Sequence, residues 1–451
     1  MSKSRRDGLY LLAMGIVVFV LFGFMFRFVA KDAMADFKLV YYGTNCLQHH
    51  CDPYRESELR SFYRTESVES LAGGSQYLKS ETLYVNLPPL SLVMAPLAML
   101  PEGTAAALWM VATAAILILA AVLMWDLAAG NAPRVAGGLI GLLLANAAVV
   151  LGNGNAAGIV IGLCTIAAWC FLRKRFVLAG IVCLAVSLAM KPHDVGLVWL
   201  YFLLAGVAYR KWALQSLAAA GLLCLAAVLF VGHTAPNWIP EVRANLAEVF
   251  VPGGNNDPGL LGATSKSRAP EVMTDLQAVI SVFRDIPAFY NTVTYIVCGV
   301  LLLGWLLVTL KSLQSQELTW LALAAVAPLT LLVTYHRAYD AKILLLTIPA
   351  CAMLWAQGGA TAKVALLVTT VGVVCTGEIP LAILLSMTKS LSAVGLLGEI
   401  QTVLLTRQAP LALLAMTIFY LLIYMRRARG KGATKVQTGP APNKADIPAA
   451  C

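Results

Sequence analysis

Charge is what this chain has least of. Of 451 residues only 12% are Asp, Glu, Lys or Arg, while 59% are hydrophobic. A soluble domain carries roughly a quarter charged residues, so the shortage excludes an ordinary water-soluble fold. A mean hydropathy of +0.77 agrees. Other absences narrow the field further. No Gly-rich nucleotide loop is present. No internal repeat, inverted or otherwise, is visible, which weighs against a transporter. The first apolar run, Leu9 to Ala30, follows Lys3, Arg5 and Arg6. It is too long for a signal-peptide core and lacks a small-residue cleavage site, so it reads as a first spanning helix.

What is present is a succession of apolar runs. A helix needs about 20 apolar residues to cross the hydrocarbon. Candidates fall at 9–30, 103–125, 135–151, 155–172, 176–190, 192–208, 213–232, 289–310, 317–334, 342–356, 362–377 and 409–425. The expectation is an all-α polytopic membrane protein with about 12 transmembrane helices over residues 1–425. Residues 426–451 read as a basic, disordered cytoplasmic tail. Pro88–Pro101 is short and Pro-bounded and suits a re-entrant or interfacial helix. Residues 389–405, which hold Glu399, are ambiguous.

The formal charge of +10 does not point to nucleic acid, because the cations sit in short clusters between apolar runs. Arg134, Arg173–Arg175, Arg210–Lys211, Lys311, Lys363 and Arg426–Lys431 occupy alternate connections, as the positive-inside rule requires for cytoplasmic termini. The other face holds two long loops, 31–88 and 233–288, expected to carry helices, and polar turns at 152–154, 191–194 and 335–341. Nearly all the Asp, Glu, His, Asn and Tyr residues near membrane level belong there. Function is expected on that face.

Each polar group has two readings. Asp36 follows the first span and is either a general base with a tuned environment or a solvated helix cap. Asn86-Leu87-Pro88-Pro89 breaks regular helix, which membrane depth tolerates only beside protein or a wet cavity, or else bends into the next span. Gly152-Asn153-Gly154-Asn155 opens a helix; its Asn side chains and amides suit an anion or sugar hydroxyl, or simply a turn. Lys191 with His193 and Asp194 lies between two apolar runs, where the ammonium either pairs with a phosphate or snorkels. Tyr335-His336-Arg337-Ala338-Tyr339-Asp340 with Lys342 is the densest polar cluster, costly at that depth unless it lines a working cavity or closes an Arg337–Asp340 pair. Ten cysteines are mostly scattered as small apolar side chains. Cys46 and Cys51, flanking His49 and His50, match no standard zinc spacing; disulfide, free thiols and metal all stay open.

Together these pieces resemble glycosyltransferase family 87, polytopic enzymes of the GT-C class that use polyprenyl-phosphate sugars. The matching segments are Asp36-Phe37 with Tyr41-Tyr42, Pro53-Tyr54, and Asn86 through Pro101 leading to Leu108-Trp109. They continue with the Gly-Asn-Gly-Asn turn, Lys191-Pro192, and His336-Arg337 with Tyr339-Asp340. They follow the family's order across about residues 9–425. Two departures stand out: Asn153 where members often carry Gln, and an insertion near 56–83.

The resemblance implies a GT-C-like fold in a bacterial plasma membrane and inverting transfer of a hexose, mannose in kind, at the extracytoplasmic face. The donor would be a polyprenyl-phosphate sugar and the acceptor a lipid or glycan, with membrane lipids as surroundings. Asp36 matches the catalytic base, and Lys191, His336 and Arg337 match the donor-phosphate residues. Tyr41, Tyr42, Asn86, Asn153, Asn155, His193, Tyr339 and Asp340 are the expected pocket. No cofactor or metal is called for, since the leaving group is already a phosphate. The rivals are a lipid or sugar transporter or flippase, a non-catalytic partner in envelope assembly, and a lipid-linked ligase of related architecture.

Overall fold

The computed structural model describes residues 2–29, 33–65, 83–259, 273–312, 315–377 and 395–436. Among these it is all helical, apart from one isolated bridge between Met273 and Arg337. Eight helices are long and apolar enough to cross a bilayer: Lys3–Val29, Glu102–Ala128, Pro133–Asn153, Val207–Thr234, Pro287–Lys311, Gln316–Val333, Asp340–Gln357 and Gln408–Arg429. The other four expected spans are present as shorter helices, Ala157–Arg173, Val177–Met190, Pro192–Leu204 and Gly359–Cys375. At 1.5 Å per residue their 13 to 17 residues reach about 20–26 Å, so length alone does not make them twelve full crossings. The chain is a polytopic membrane protein.

The helices divide into an inner and an outer set. In Gln316–Val333 and Asp340–Gln357, 83% of the apolar window is buried by other helices. In Lys3–Val29, Val207–Thr234 and Pro287–Lys311 only 22% is, leaving rows of Leu, Val and Ile that only lipid can cover. Between membrane helices the apolar driving force is weak and close packing takes over. The first helix packs directly on Pro133–Ala145. A Cβ on Gly15 would fall 2.3 Å from the Gly141 Cα, so only glycine permits that approach.

Broken helices have their backbone groups satisfied from the side. The run 133–153 is interrupted at Asn146, and Lys342 Nζ donates to the Asn146 carbonyl at 3.0 Å from a fully buried position. Lys342 opens no helix of ordinary pitch. It lies in a 3-10 stretch, Asp340–Thr347, that continues as Ile348–Gln357. The final helix runs to Val436, so the first part of the expected tail is helical; residues 437–451 lie outside the described set.

The two ends of the bundle differ in kind. At one end Arg134 pairs with Asp7 and Arg173 with Asp126, both largely exposed, and Arg5 lies 5.4 Å over the Trp125 ring. At the other end the two long loops fold on one another. Ala35–Gln48 packs against Pro88–Ala98, with Gln48 donating to the Ala95 carbonyl at 2.9 Å. Asn245 of the Trp238–Val249 helix donates to the carbonyls of Tyr54 and Tyr84, and Arg55 reaches Glu241 at 2.8 Å. Cys46 and Cys51 form a disulfide closing the end of the Ala35–Gln48 helix.

Candidate active site

Four polar segments far apart in sequence meet at the end of the bundle that carries the long loops. The first is the start of the Ala35–Gln48 helix. Its N-terminal residue Met34, in left-handed conformation, donates its amide to the Gly152 carbonyl at 2.6 Å. Gly154 sits beneath, with φ +65°, and the Trp109 indole donates to its carbonyl at 2.8 Å. A Cβ there would lie 2.6 Å from that of Phe37, so a side chain would be both strained and obstructed. This seat brings Asn155 to Asp36: the amide nitrogen donates to Asp36 Oδ2 at 2.8 Å, while Asn155 Oδ1 accepts from the Ala157 amide. Asp36 is half-buried and keeps a second oxygen for another donor.

The second segment is the junction between Val177–Met190 and Pro192–Leu204. Pro192 occupies the first turn, where its missing N–H costs nothing. Lys191 Nζ stands 2.9 Å from Asp340 Oδ1 and 3.0 Å from Asp194 Oδ2, and 5.7 Å over the Tyr339 ring. Burial alone would push the Lys191 ammonium down; the two carboxylates more than reverse this and hold it above the ordinary lysine range.

The turn 334–340 supplies the rest. Residues 273–276 run beside it: the Thr274 amide donates to the His336 carbonyl and the Leu276 amide to the Leu332 carbonyl. The Arg337 amide donates to Asp340 Oδ2 at 2.9 Å, and its guanidinium donates to the Asn255 carbonyl at 3.1 Å and covers the Tyr335 ring. His336, fully buried, has Nδ1 at 2.8 Å from the Thr334 carbonyl and Nε2 at 3.4 Å from Asp194 Oδ1. Burial disfavours its charged form, but the contact with Asp194 and the negative fields of Asp340 and Asp194 outweigh it and raise its affinity for a proton.

The Asp36 carboxylate acts electrostatically on both Tyr335 and Tyr339. Asn155 and Asp36 thus lie within electrostatic reach of the two tyrosines, whose turn also holds Lys191, Arg337, Asp340 and, by way of Asp194, both histidines. What such an arrangement can do is remove a proton at one side and hold an anion at the other.

The model of glycosyltransferase family 87 matches residues 84–334, over half of the chain. The chain belongs to glycosyltransferase family 87. No curated protein and no solved structure matches it. Family membership makes it a membrane transferase acting between a sugar donor and an acceptor.

Within this glycosyltransferase the expected pocket residues separate into two groups. Asp36, Asn155, Lys191, His193, His336, Arg337, Tyr339 and Asp340 share the cluster. Tyr41 and Tyr42 turn away from it: their hydroxyls donate to the Leu100 carbonyl at 2.6 Å and to Glu102 at 2.8 Å. Tyr41 instead lines an open groove of about 650 Å³ with Asn45, Gln48, His49 and Ala98–Pro101, which none of the clustered charges borders. Asn86 contributes its carbonyl, to the Tyr54 hydroxyl at 2.9 Å, and Asn153 ends its helix buried.

Sequence reasoning named Asp194 and Tyr335 within their segments without giving either a role, and did not name Asp275. Asp194 is 1% exposed, and its signal was the i,i+3 spacing from Lys191 across a Pro at the mouth of an apolar helix. Asp275, fully buried with its acid form favoured by burial, lies near enough to His336 to feel its charge. Nothing in the sequence around it distinguishes it from an ordinary turn residue.

Proposed function

We propose that this chain transfers a hexose, mannose in kind, from a polyprenyl-phosphate carrier to an acceptor hydroxyl at the extracytoplasmic face, with inversion. Asp36, oriented by Asn155, takes the proton of the acceptor hydroxyl as its oxygen bonds to the sugar C1. The C1–O bond to the lipid phosphate breaks on the opposite side of the ring. Lys191, Arg337 and His336 form the cationic wall against which the phosphate departs, at a depth where such charges act more strongly than in water. The observation that carries this reading is that a half-buried carboxylate held by Asn155 and a lysine held between Asp194 and Asp340 both lie beside the Tyr335–Tyr339 turn. The gathering of polar groups at one end of the bundle, rather than at its middle, favours an interfacial reaction over transport.

The test is transfer from radiolabelled polyprenyl-phosphate hexoses by the chain in nanodiscs, wild type against Asp36→Asn. Removing a general base of this kind costs roughly 10²–10⁴-fold in rate. Undiminished transfer by a stably folded Asp36→Asn variant overturns the assignment of the base. A wild type that moves label only from nucleotide sugars overturns the donor class.

A further inference from the structure

We propose that His193, Asp194 and His336 form a binding site for a divalent transition-metal ion of the zinc class. Three observations converge on it, the first being spacing. His193 Nε2 and His336 Nε2 stand 3.1 and 3.4 Å from the same oxygen, Asp194 Oδ1, and the three atoms lie within 4.8 Å of one another. Charge-assisted N–H···O bonds close to about 2.7–2.9 Å. Ligand atoms around a tetrahedral ion with bonds near 2.0–2.1 Å sit about 3.3 Å apart. Both distances to Asp194 Oδ1 are close to that spacing.

The second observation is the tautomer. The Thr334 carbonyl can only accept, so the His336 Nδ1 that faces it carries a hydrogen. In the neutral ring Nε2 is then a lone pair aimed at a carboxylate oxygen. His336 Nε2 and Asp194 Oδ1, 3.4 Å apart, have no well-formed hydrogen bond, although His336 and Asp194 are 0% and 1% exposed. A second ring proton relieves the conflict; so does a cation, which would take that proton's place. A ring whose other nitrogen is fixed by a carbonyl is how ligating histidines are commonly oriented.

Third, the site has a way in and a counter-charge in place. The His193 side chain is 44% exposed, leaving a coordination position open to incoming groups. Lys191 pairs with Asp194 Oδ2, not Oδ1, so the ligating oxygen stays available. Two imidazoles and one carboxylate select a borderline ion such as zinc over magnesium or calcium, which favour all-oxygen sites. With the ion bound, its charge would replace that of the His336 ring in the wall assigned above to the leaving phosphate; that use rests on the transfer reading, whereas its binding does not.

The experiment uses the full chain, without a polyhistidine tag, in nanodiscs, stripped with chelator, exchanged into buffered zinc and analysed for metal without any donor. About one zinc per chain is expected in the wild type, falling at least roughly tenfold in His193→Ala. With 44% of its side chain exposed, His193 can be shortened without opening the core, so the variant should fold. Cobalt substitution gives a second readout on the wild type: a visible spectrum of tetrahedral N/O coordination. A wild type that stays zinc-free, or equal zinc in wild type and His193→Ala, overturns the site. A zinc-free wild type whose transfer still depends on Asp36 removes the metal and leaves the glycosyltransferase reading standing.

Discussion

Two ionic clusters lie at the same end of this bundle and use the same residue types to opposite effect. Around Lys191 the cation is 17% exposed and its two carboxylates, Asp194 and Asp340, are 1% and 3% exposed. Around Arg55 the cation is 45% exposed, and Glu58 and Glu241 are 38% and 21% exposed, with only Asp52 buried. The second group ties the two outer loops together in contact with solvent, where each pair is screened and worth little. The first is held dry at helix ends from distant parts of the chain. Apolar side chains would fill that space at lower cost. A dry cluster kept at such cost is where chemistry is expected; the wet one is a clasp.

The sharpest way to break this contrast is to remove Lys191. Lys191→Met leaves Asp194 and Asp340 facing each other without a cation, which costs about 3–5 kcal/mol, and takes one of three cations from the proposed phosphate wall. Stability in nanodiscs and transfer should fall together, and retention of both would erase the distinction. Gly154→Ala comes next. The left-handed conformation and the Phe37 contact cost about 1–3 kcal/mol, and displacement of Asn155 should lower kcat by roughly tenfold or more with little change in KM. Transfer rates at saturating donor separate the two.

The clasp should respond differently. Opening Cys46–Cys51 with Cys46→Ser removes about 2 kcal/mol of loop constraint from the unfolded state, to be read as faster amide exchange in residues 44–56 with transfer preserved. The smallest effect concerns Asp52. Burial, and then its hydrogen bond with Glu241, raise its pKa from 3.8 to about 6 against the pull of the Tyr54 amide and Arg55. The folded state thus binds this proton more tightly than the unfolded one. Its stabilising contribution is complete below pH 3.8 and is lost as the pH climbs through about 6. Asp52→Asn should abolish that part of the pH dependence in unfolding scans, and an unchanged profile would show that the clasp does not hold the proton.

Much of the fold was legible because hydropathy is a property of composition. The run Leu9–Ala30 became Lys3–Val29 and 289–310 became Pro287–Lys311. What composition does not encode is where a helix breaks when a side chain elsewhere satisfies it. The interruption at Asn146 depends on Lys342, 196 positions away, and the 3-10 stretch that carries Lys342 reads as ordinary apolar helix. The short span candidates 176–190 and 192–208 are two helices, Val177–Met190 and Pro192–Leu204, that meet at Lys191. At the site, the residue types that are costly at membrane depth were visible one by one. Their partners were not: Asp194 stood beside Lys191 with no role of its own, and Tyr41 and Tyr42 read as pocket aromatics until their hydroxyls are seen bonded to Leu100 and Glu102.

The bond from the Met34 amide to the Gly152 carbonyl gives Asp36 a footing on the membrane helices and not on the loop that follows it. Downstream portions of that first loop can therefore lengthen, shorten or change composition without carrying Asp36 off its station. A single transfer chemistry could in this way be retained across descendants that greet very different acceptors, with selection free to rewrite the outer surface while the backbone tether stays put.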